Sequence, residues 1–177
     1  MMVGLASKHG EAKTVMIDAT YLKAHRTATS MAAKKGGRGG LIGRTKGGMN
    51  IKLHAICDSQ GRPIDLFVTA GQVSDYIGAR ALLSGLPNVK WLLGDRGYDA
   101  DWFREALQDK GIRARIPGQK KRKTPVKYDM RRYKRRNRIE IMFGRLKDWR
   151  RVATGYDRCP KDFLSAIALA ALVIYWL

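Results

Sequence analysis

Three acidic residues occupy positions in which a carboxylate could do chemistry. Asp18 lies in the middle of the β-branched and aromatic stretch TVMIDATYLKA, Asp95 follows the apolar run WLLG, and Glu140 is set among basic residues in YKRRNRIEIMFGRLK. Carboxylate oxygens, with no histidine or cysteine placed beside them, suit a hard cation such as Mg²⁺ or Mn²⁺ rather than zinc. Divalent-metal chemistry is therefore open to this chain if its fold brings the three acids together.

Glu140 shares one narrow face of a predicted helix with three other polar residues. At about 100° of rotation per residue, Tyr133, Arg136 and Lys147 all fall within roughly 40° of Glu140. An apolar stripe adjoins this face, so Glu140 stands at the border of the buried side; the stripe consists of Ile139, Met142, Phe143, Leu146 and Trp149. Two interpretations stay open at this point: a functional carboxylate, or an ordinary i, i+4 ion pair with Arg136.

Composition indicates a folded, strongly basic protein. Its 177 residues suffice for one domain with a core, and 45% of them are hydrophobic. Lysine and arginine number 35 against 15 aspartate and glutamate, a formal net charge of +20. A folded protein with this excess of positive charge is expected to have a polyanion as its partner.

Several other classes of site are disfavoured. The two cysteines, Cys57 and Cys159, form no CxxC motif, and the three histidines have no metal-ligand spacing. This usage favours reduced thiols in the cytoplasm. The apolar C-terminal stretch from Phe163 to Leu177 would span only about 22 Å as a helix, less than the ~30 Å hydrocarbon layer. A buried helix is therefore predicted, with a membrane-associated protein as the alternative.

The order of predicted elements defines an α/β fold of one domain over residues 1–177. A strand around Asp18 is followed by a flexible basic loop at 34–48 and by an antiparallel hairpin around SQGRP. The chain continues as helix, buried strand, helix and strand, then a basic linker at 118–128 and, from Asp129 onward, one long charged helix and an apolar last helix. Three antiparallel strands followed by helix-strand-helix-strand match a ribonuclease H-like mixed sheet flanked by helices. In that fold the first and fourth strands are neighbours, which would bring Asp18 and Asp95 to one edge.

Three motifs resemble those of a known family. Tyr133, Arg136, Glu140 and Lys147 reproduce the pattern Y-x2-R-x3-E-x6-K of bacterial insertion-sequence DDE transposases, of the insertion sequence five type. VMIDATYLKAHR is similar to the first motif of that family, and LLGDRGYD is similar to its second. Within the second motif, Asp99 is the rival candidate to Asp95.

The resemblance implies a catalytic domain that cleaves DNA at element ends and performs strand transfer. Asp18, Asp95 and Glu140 would be catalytic and would hold Mg²⁺ or Mn²⁺, as a pair of ions. Three further residues would contact DNA: Tyr133, Arg136 and Lys147. The expected partners are element ends and target DNA, with a homo-oligomer as the active form at the bacterial nucleoid. Fifteen Lys or Arg against three acids between residues 120 and 151 would make DNA binding steeply salt-dependent.

The sequence also departs from the family. Complete enzymes carry an amino-terminal DNA-recognition domain, whereas 17 residues precede Asp18. The expectation is a chain without that domain, either a downstream reading frame whose upstream frame supplies recognition or a truncated copy. Ala19 stands where relatives commonly have glycine. A ribonuclease H-like nuclease without strand transfer and a non-catalytic basic DNA-binding remnant stay as alternatives.

Overall fold

A computed structural model of the protein describes residues 14–31, 41–122, 124–126 and 128–177. In these residues seven strands form one mixed sheet with the order β2-β3-β1-β5-β6. β4 pairs with β3 beside β2, and β7 pairs with β1 beside β5. The strands are β1 (Thr14–Ala24), β2 (Gly43–Thr45), β3 (Gly48–Asp58), β4 (Pro63–Ala70), β5 (Trp91–Leu93), β6 (Arg113–Arg115) and β7 (Thr154–Gly155).

The antiparallel half of the sheet follows the predicted strands. β1 pairs with β3 over nine residue pairs, among them Asp18 with Ala55. A tight turn joins β3 to β4, in which the Asp58 carboxylate accepts hydrogen bonds from the backbone N–H groups of Gln60 and Arg62 at 2.8 and 3.0 Å. Gly61 in this turn has a φ of +85°, a conformation that L side chains rarely adopt. The predicted hairpin is thereby confirmed.

The parallel half of the sheet is short. β5 runs parallel to β1, and β6 runs parallel to β5, each through three residue pairs. β5 consists of the apolar residues Trp91, Leu92 and Leu93, as expected for a strand with helices on both faces. The first and fourth predicted strands are therefore neighbours in the sheet.

Helices cover both faces of the sheet. On one face α1 and α2 pack over the side chains of Val15, Ile17 and Leu92. On the other face α4, α5 and α6 pack over Met16, Leu53 and their neighbours. The helices are α1 (Asp75–Leu83), α2 (Asp101–Asp109), α3 (Met130–Lys134), α4 (Asn137–Asp148), α5 (Arg150–Ala153) and α6 (Pro160–Tyr175). Short 3₁₀ helices cover Arg26–Met31 and Arg96–Tyr98.

The predicted long helix is wrong in one respect, since it is broken between α3 and α4. The Asp129 carboxylate caps α3 by accepting hydrogen bonds from the N–H groups of Arg131 and Arg132. At the break the N–H groups of Arg135, Arg136, Arg138 and Ile139 bond three residues back rather than four, which tightens the chain into a turn. The apolar stripe of α4 is buried as predicted, whereas Trp149 at the end of the helix is 41% exposed.

The basic loop expected at 34–48 differs in its last part. Residues 32–40 lie outside the described ranges. Gly43–Thr45 form strand β2, which turns back directly into β3 at Gly48 (φ +93°). A β-turn needs only a few glycines and polar residues, so the composition that predicts a loop also fits this small hairpin.

The C-terminal stretch is the packed helix α6. Phe163, Ile167, Ala170 and Ala171 of this helix are buried in the core, which confirms the predicted helix. None of the helices in the described residues combines the length and the apolar character that a membrane crossing requires.

Candidate catalytic site

Asp18 and Asp95 are brought to the same level by two paired strands. Met16 of β1 lies opposite Leu93 of β5, and each acid comes two residues further along. Residues two apart in a strand share a face, so Asp18 lies on the face of Met16, where α4 packs. The expected meeting of the two aspartates at one edge follows from this parallel register.

The surroundings of Asp18 disfavour the ionised form of its side chain. Its side chain is only 16% exposed, and its pKa is raised to about 6, chiefly by burial. The guanidinium of Arg136 and the N–H group of Ala19 act in the opposite direction, and the charge of Asp95 contributes to the rise. Arg136 donates a hydrogen bond of 2.5 Å to one carboxylate oxygen, and Ala19 donates one of 2.8 Å to the other. The two aspartates therefore interact electrostatically.

Asp95 is held by the turn that follows its strand. Its carboxylate accepts a hydrogen bond of 2.8 Å from the N–H group of Gly97, which caps the 3₁₀ helix Arg96–Tyr98. A Cβ atom at position 97 would lie 2.9 Å from that carboxylate oxygen and 3.2 Å from an oxygen of Asp75. A side chain at position 97 would therefore crowd two carboxylates, which the glycine of the GDRGYD motif avoids.

Arg136 links the side chain of Glu140 to that of Asp18. The guanidinium of Arg136 donates hydrogen bonds to both Asp18 and Glu140, and it thereby joins α4 to β1. The Glu140 side chain is 57% exposed. The i, i+4 pair left open by the sequence is present, and the contact of Arg136 with Asp18, 118 residues away in the chain, was not foreseen.

Lys147 and Tyr133 lie on either side of this contact. Lys147 donates a hydrogen bond of 2.6 Å to the hydroxyl of Thr20, two residues beyond Asp18, and burial lowers its pKa. The ring of Tyr133 lies 5.8 Å from the guanidinium carbon of Arg136. Arg136 and Lys147 therefore contact β1 directly, while Glu140 and Tyr133 lie beside Arg136.

The carboxylates of this site supply oxygen ligands and attract positive charge. Across the described parts of the chain, no three His, Cys, Asp or Glu side chains gather closely enough to form a metal-binding group. Between Asp18 and Glu140 the position of positive charge is taken by the guanidinium of Arg136. Because Asp18 and Asp95 repel each other and donate only oxygen, they fit a hard divalent cation.

Asp99, the rival to Asp95, has a structural role. Its side chain is 1% exposed and forms ion pairs with Arg104 at 2.7 Å and Arg122 at 3.1 Å. The N–H group of Gln119 donates a further hydrogen bond of 2.7 Å. Burial alone would raise the pKa of Asp99, but these donors lower it overall. Asp99 thus anchors the start of the basic segment at 118–128, of which residues 123 and 127 are not described.

The sequence did not predict the contacts of two further residues, Asp75 and Trp91. Asp75 has the ordinary place of an acid in the first turn of α1, yet it also pairs with the buried Lys52 at 3.1 Å and faces Gly97. Trp91 of β5 is contacted by Arg132 of α3, whose guanidinium carbon lies 4.6 Å from the ring centre. That contact ties the helix preceding the site to the sheet. Neither has a local signal in the sequence, since both depend on contacts between distant segments.

The fold is that of the ribonuclease H-like catalytic cores of integrases and transposases. Two solved structures resemble it over 94% of the chain: a simian T-cell lymphotropic virus intasome in complex with a PP2A regulatory subunit (TM-score 0.54, 15% identity) and a piggyBac transposase synaptic complex with hairpin DNA (TM-score 0.56, 11% identity). The chain spans about half of each of those chains, 49% and 47%. At these identities the likeness concerns the fold alone.

The sequence comparisons define the family. The family model described as a transposase DDE domain matches residues 9–176, and the chain belongs to this family of bacterial insertion-sequence transposases. It is 35% identical to a protein of Brucella ovis named as a transposase for insertion sequence element IS6501, over 72% of this chain and 98% of that protein. It is 28% identical to a Burkholderia cepacia protein named likewise for IS402, over 71% of this chain and 62% of that protein. The chain is a transposase catalytic domain, an enzyme of DNA transposition.

Proposed function

We propose that this catalytic domain cleaves DNA at the ends of an insertion sequence and joins the freed 3′-hydroxyl to target DNA, as a transposase of the insertion sequence five type. The observation that carries the proposal is the common level of Asp18 and Asp95 on paired parallel strands, to which Arg136 joins Glu140. On this proposal, three acids from a strand, a strand end and a helix would act together at one edge of the sheet.

Asp18, Asp95 and Glu140 would hold a pair of Mg²⁺ or Mn²⁺ ions. Such ions, when bound, activate the attacking oxygen and stabilise the leaving oxygen of an in-line displacement at phosphorus. The raised pKa of Asp18 supports this assignment, because a buried carboxylate beside a second one gains most from a cation. To join the two aspartates, Glu140 would have to leave its ion pair with Arg136, and its side chain is 57% exposed.

Arg136, Lys147 and Tyr133 would bind the reacting DNA. Arg136 and Lys147 point their charges at β1 beside Asp18, where a phosphate would have to lie. Guanidinium groups bind phosphate oxygens as readily as carboxylates, so Arg136 can exchange one for the other. The pattern of Tyr133, Arg136, Glu140 and Lys147 supports the insertion sequence five type.

The active form would be a homo-oligomer on paired element ends, acting at the bacterial nucleoid in the cytoplasm. Two similar structures are described as an intasome and as a synaptic complex with hairpin DNA, which supports DNA as the partner here.

The test is a cleavage and joining assay with labelled element-end DNA and Mg²⁺ or Ca²⁺. We expect cleavage with Mg²⁺ that is lost separately in Asp18→Asn, Asp95→Asn and Glu140→Gln. Asp148→Asn removes an exposed carboxylate from the same helix and should leave cleavage intact. Activity that survives in one of the three variants would refute the three-carboxylate site. Cleavage without joined product, when a 3′-hydroxyl end is offered, would identify a nuclease instead.

A further inference from the structure

A second basic surface lies on α4, away from the three carboxylates. It is a groove of about 420 Å³ between α4, the β3–β4 turn and the end of α6, called here the rear groove. Four cations line it, together with Gln60 of the turn and Tyr175 of α6. The four are Lys134, Arg135, Arg138 and Arg145.

The four cations of the rear groove form no ion pair among the described residues. None of its lining residues is acidic, and within the described ranges none of the four cations forms an ion pair. Arg136 and Arg132, by contrast, each have a carboxylate partner. Four unpaired cations at one surface repel one another, so an anionic partner would relieve that repulsion.

Neutral groups in the rear groove can also donate hydrogen bonds to an anion. Gln60 and Asn137, whose side chains carry amides, line the same space. The guanidinium carbon of Arg145 lies 5.9 Å from the ring centre of Tyr175, which keeps this cation at the groove wall. Amide and guanidinium donors side by side are typical of surfaces that bind phosphate.

The rear groove and the carboxylates lie on opposite flanks of α4. At about 100° per residue, Arg138 and Arg145 fall roughly 140–160° from Glu140. The buried stripe fixes the rotation of the helix, and Ile141, at 53% exposure, lies on the crest between the flanks. A strand positioned at Glu140 is therefore separated from the rear groove by the body of the helix.

We propose that the rear groove binds the phosphate backbone of a duplex DNA segment other than the one at the three carboxylates. This proposal depends on the proposed function in one respect, which is that DNA is the anionic partner. Contacts with phosphate alone carry no base sequence, so this surface adds affinity and orientation without specificity. It would hold flanking or target DNA while the opposite flank of α4 engages the reacting strand.

The test measures the salt dependence of binding to a labelled duplex that contains no element end. The variant replaces Lys134, Arg135, Arg138 and Arg145 by glutamine. Each lost phosphate contact lowers the slope of log affinity against log salt by about 0.9, so we expect a fall of about 3.6 and at least roughly tenfold weaker binding at low salt. The charge-matched control replaces four exposed cations elsewhere: Arg80, Lys90, Lys110 and Lys161. Its slope should change by less than about 1.

Further variants keep the result interpretable. If the fourfold variant fails to fold, the pair Arg138→Gln and Arg145→Gln should lower the slope by about 2, while the pair Arg138→Lys and Arg145→Lys should retain it. Cleavage of a short element end at saturating protein should persist in the glutamine variants, because the Glu140 flank is intact. An equal slope in the groove variants and the control would overturn the proposal. Measuring the salt dependence of binding requires no catalysis. Failure of the proposed function would therefore show separately, as a lack of DNA cleavage by the unaltered protein.

Discussion

Asp18 makes the stability of the protein depend on pH in a direction opposite to that of most acids. Its pKa is raised from 3.8 to about 6 in the folded protein, chiefly by burial. The folded state therefore holds this proton more tightly than the unfolded state does. The resulting stabilisation is fully present below about pH 4 and is lost as the pH rises through 6.

The size of the effect follows from the shift. One pKa unit corresponds to about 1.36 kcal/mol, so the shift of Asp18 amounts to roughly 3 kcal/mol. Asp18→Asn has no proton to lose. Relative to the unaltered protein, this variant should gain about 2.4 kcal/mol of stability between pH 4 and pH 7.5, whatever constant cost it has from its altered hydrogen bonds.

Urea unfolding of both proteins at several pH values without divalent metal measures this difference. Asp148→Asn, which removes an exposed carboxylate from α4, controls for the general effect of raising the positive charge. A stability difference between Asp18→Asn and the unaltered protein that stays constant from pH 4.5 to 7.5 would refute the reasoning. It would mean that Asp18 ionises in the folded protein as easily as in the unfolded chain.

Two further predictions concern packing and the arginine bridge. Gly78→Ala should destabilise the protein by about 3 kcal/mol, because the new Cβ would lie 2.1 Å from Nδ1 of the buried His54 ring. Gly144→Ala, whose Cβ would have no atom within 4 Å, should stabilise it by roughly 0.5–1 kcal/mol. Thermal unfolding compares the two variants, and equal shifts in melting temperature would contradict the packing argument. Arg136→Gln should raise the pKa of Asp18 further, since Arg136 lowers it, and a carbon-detected NMR titration would show this rise. A double-mutant cycle of Arg136→Gln with Asp18→Asn should give a coupling energy of about 0.5–3 kcal/mol, and additive effects on stability would argue against the ion pair.

The sequence predicted those parts of the fold whose signal is local. The bounds of β1 match the stretch TVMIDATYLKA, and the hairpin of β3 and β4 follows its alternating pattern around a turn. The helical phase of α4 correctly places its apolar stripe inward and Lys147 near the same sheet edge as Arg136. Periodicity fixes such features because each residue is compared only with near neighbours.

The features that sequence could not predict depend on distant contacts. No periodicity indicates that Arg136 turns away from a purely helical pairing to bind Asp18, or that Lys147 donates to Thr20. The break between α3 and α4 is equally hidden, since six of the residues 131–138 are arginine or lysine, which are good helix formers. Long-range contacts such as that of Arg132 with Trp91 hold α3 in place.

The cations of α4 differ between the two flanks of the helix in whether they have a partner. On the flank that faces β1, Arg136 is bound to carboxylates and Lys147 to a hydroxyl, so these cations are held in fixed places. On the rear flank, Arg138 and Arg145 have no carboxylate partner among the described residues. Held cations can set the geometry of a reacting phosphate, whereas unpaired ones can follow a backbone of any sequence. The one glutamate in this basic stretch is therefore what distinguishes its two flanks.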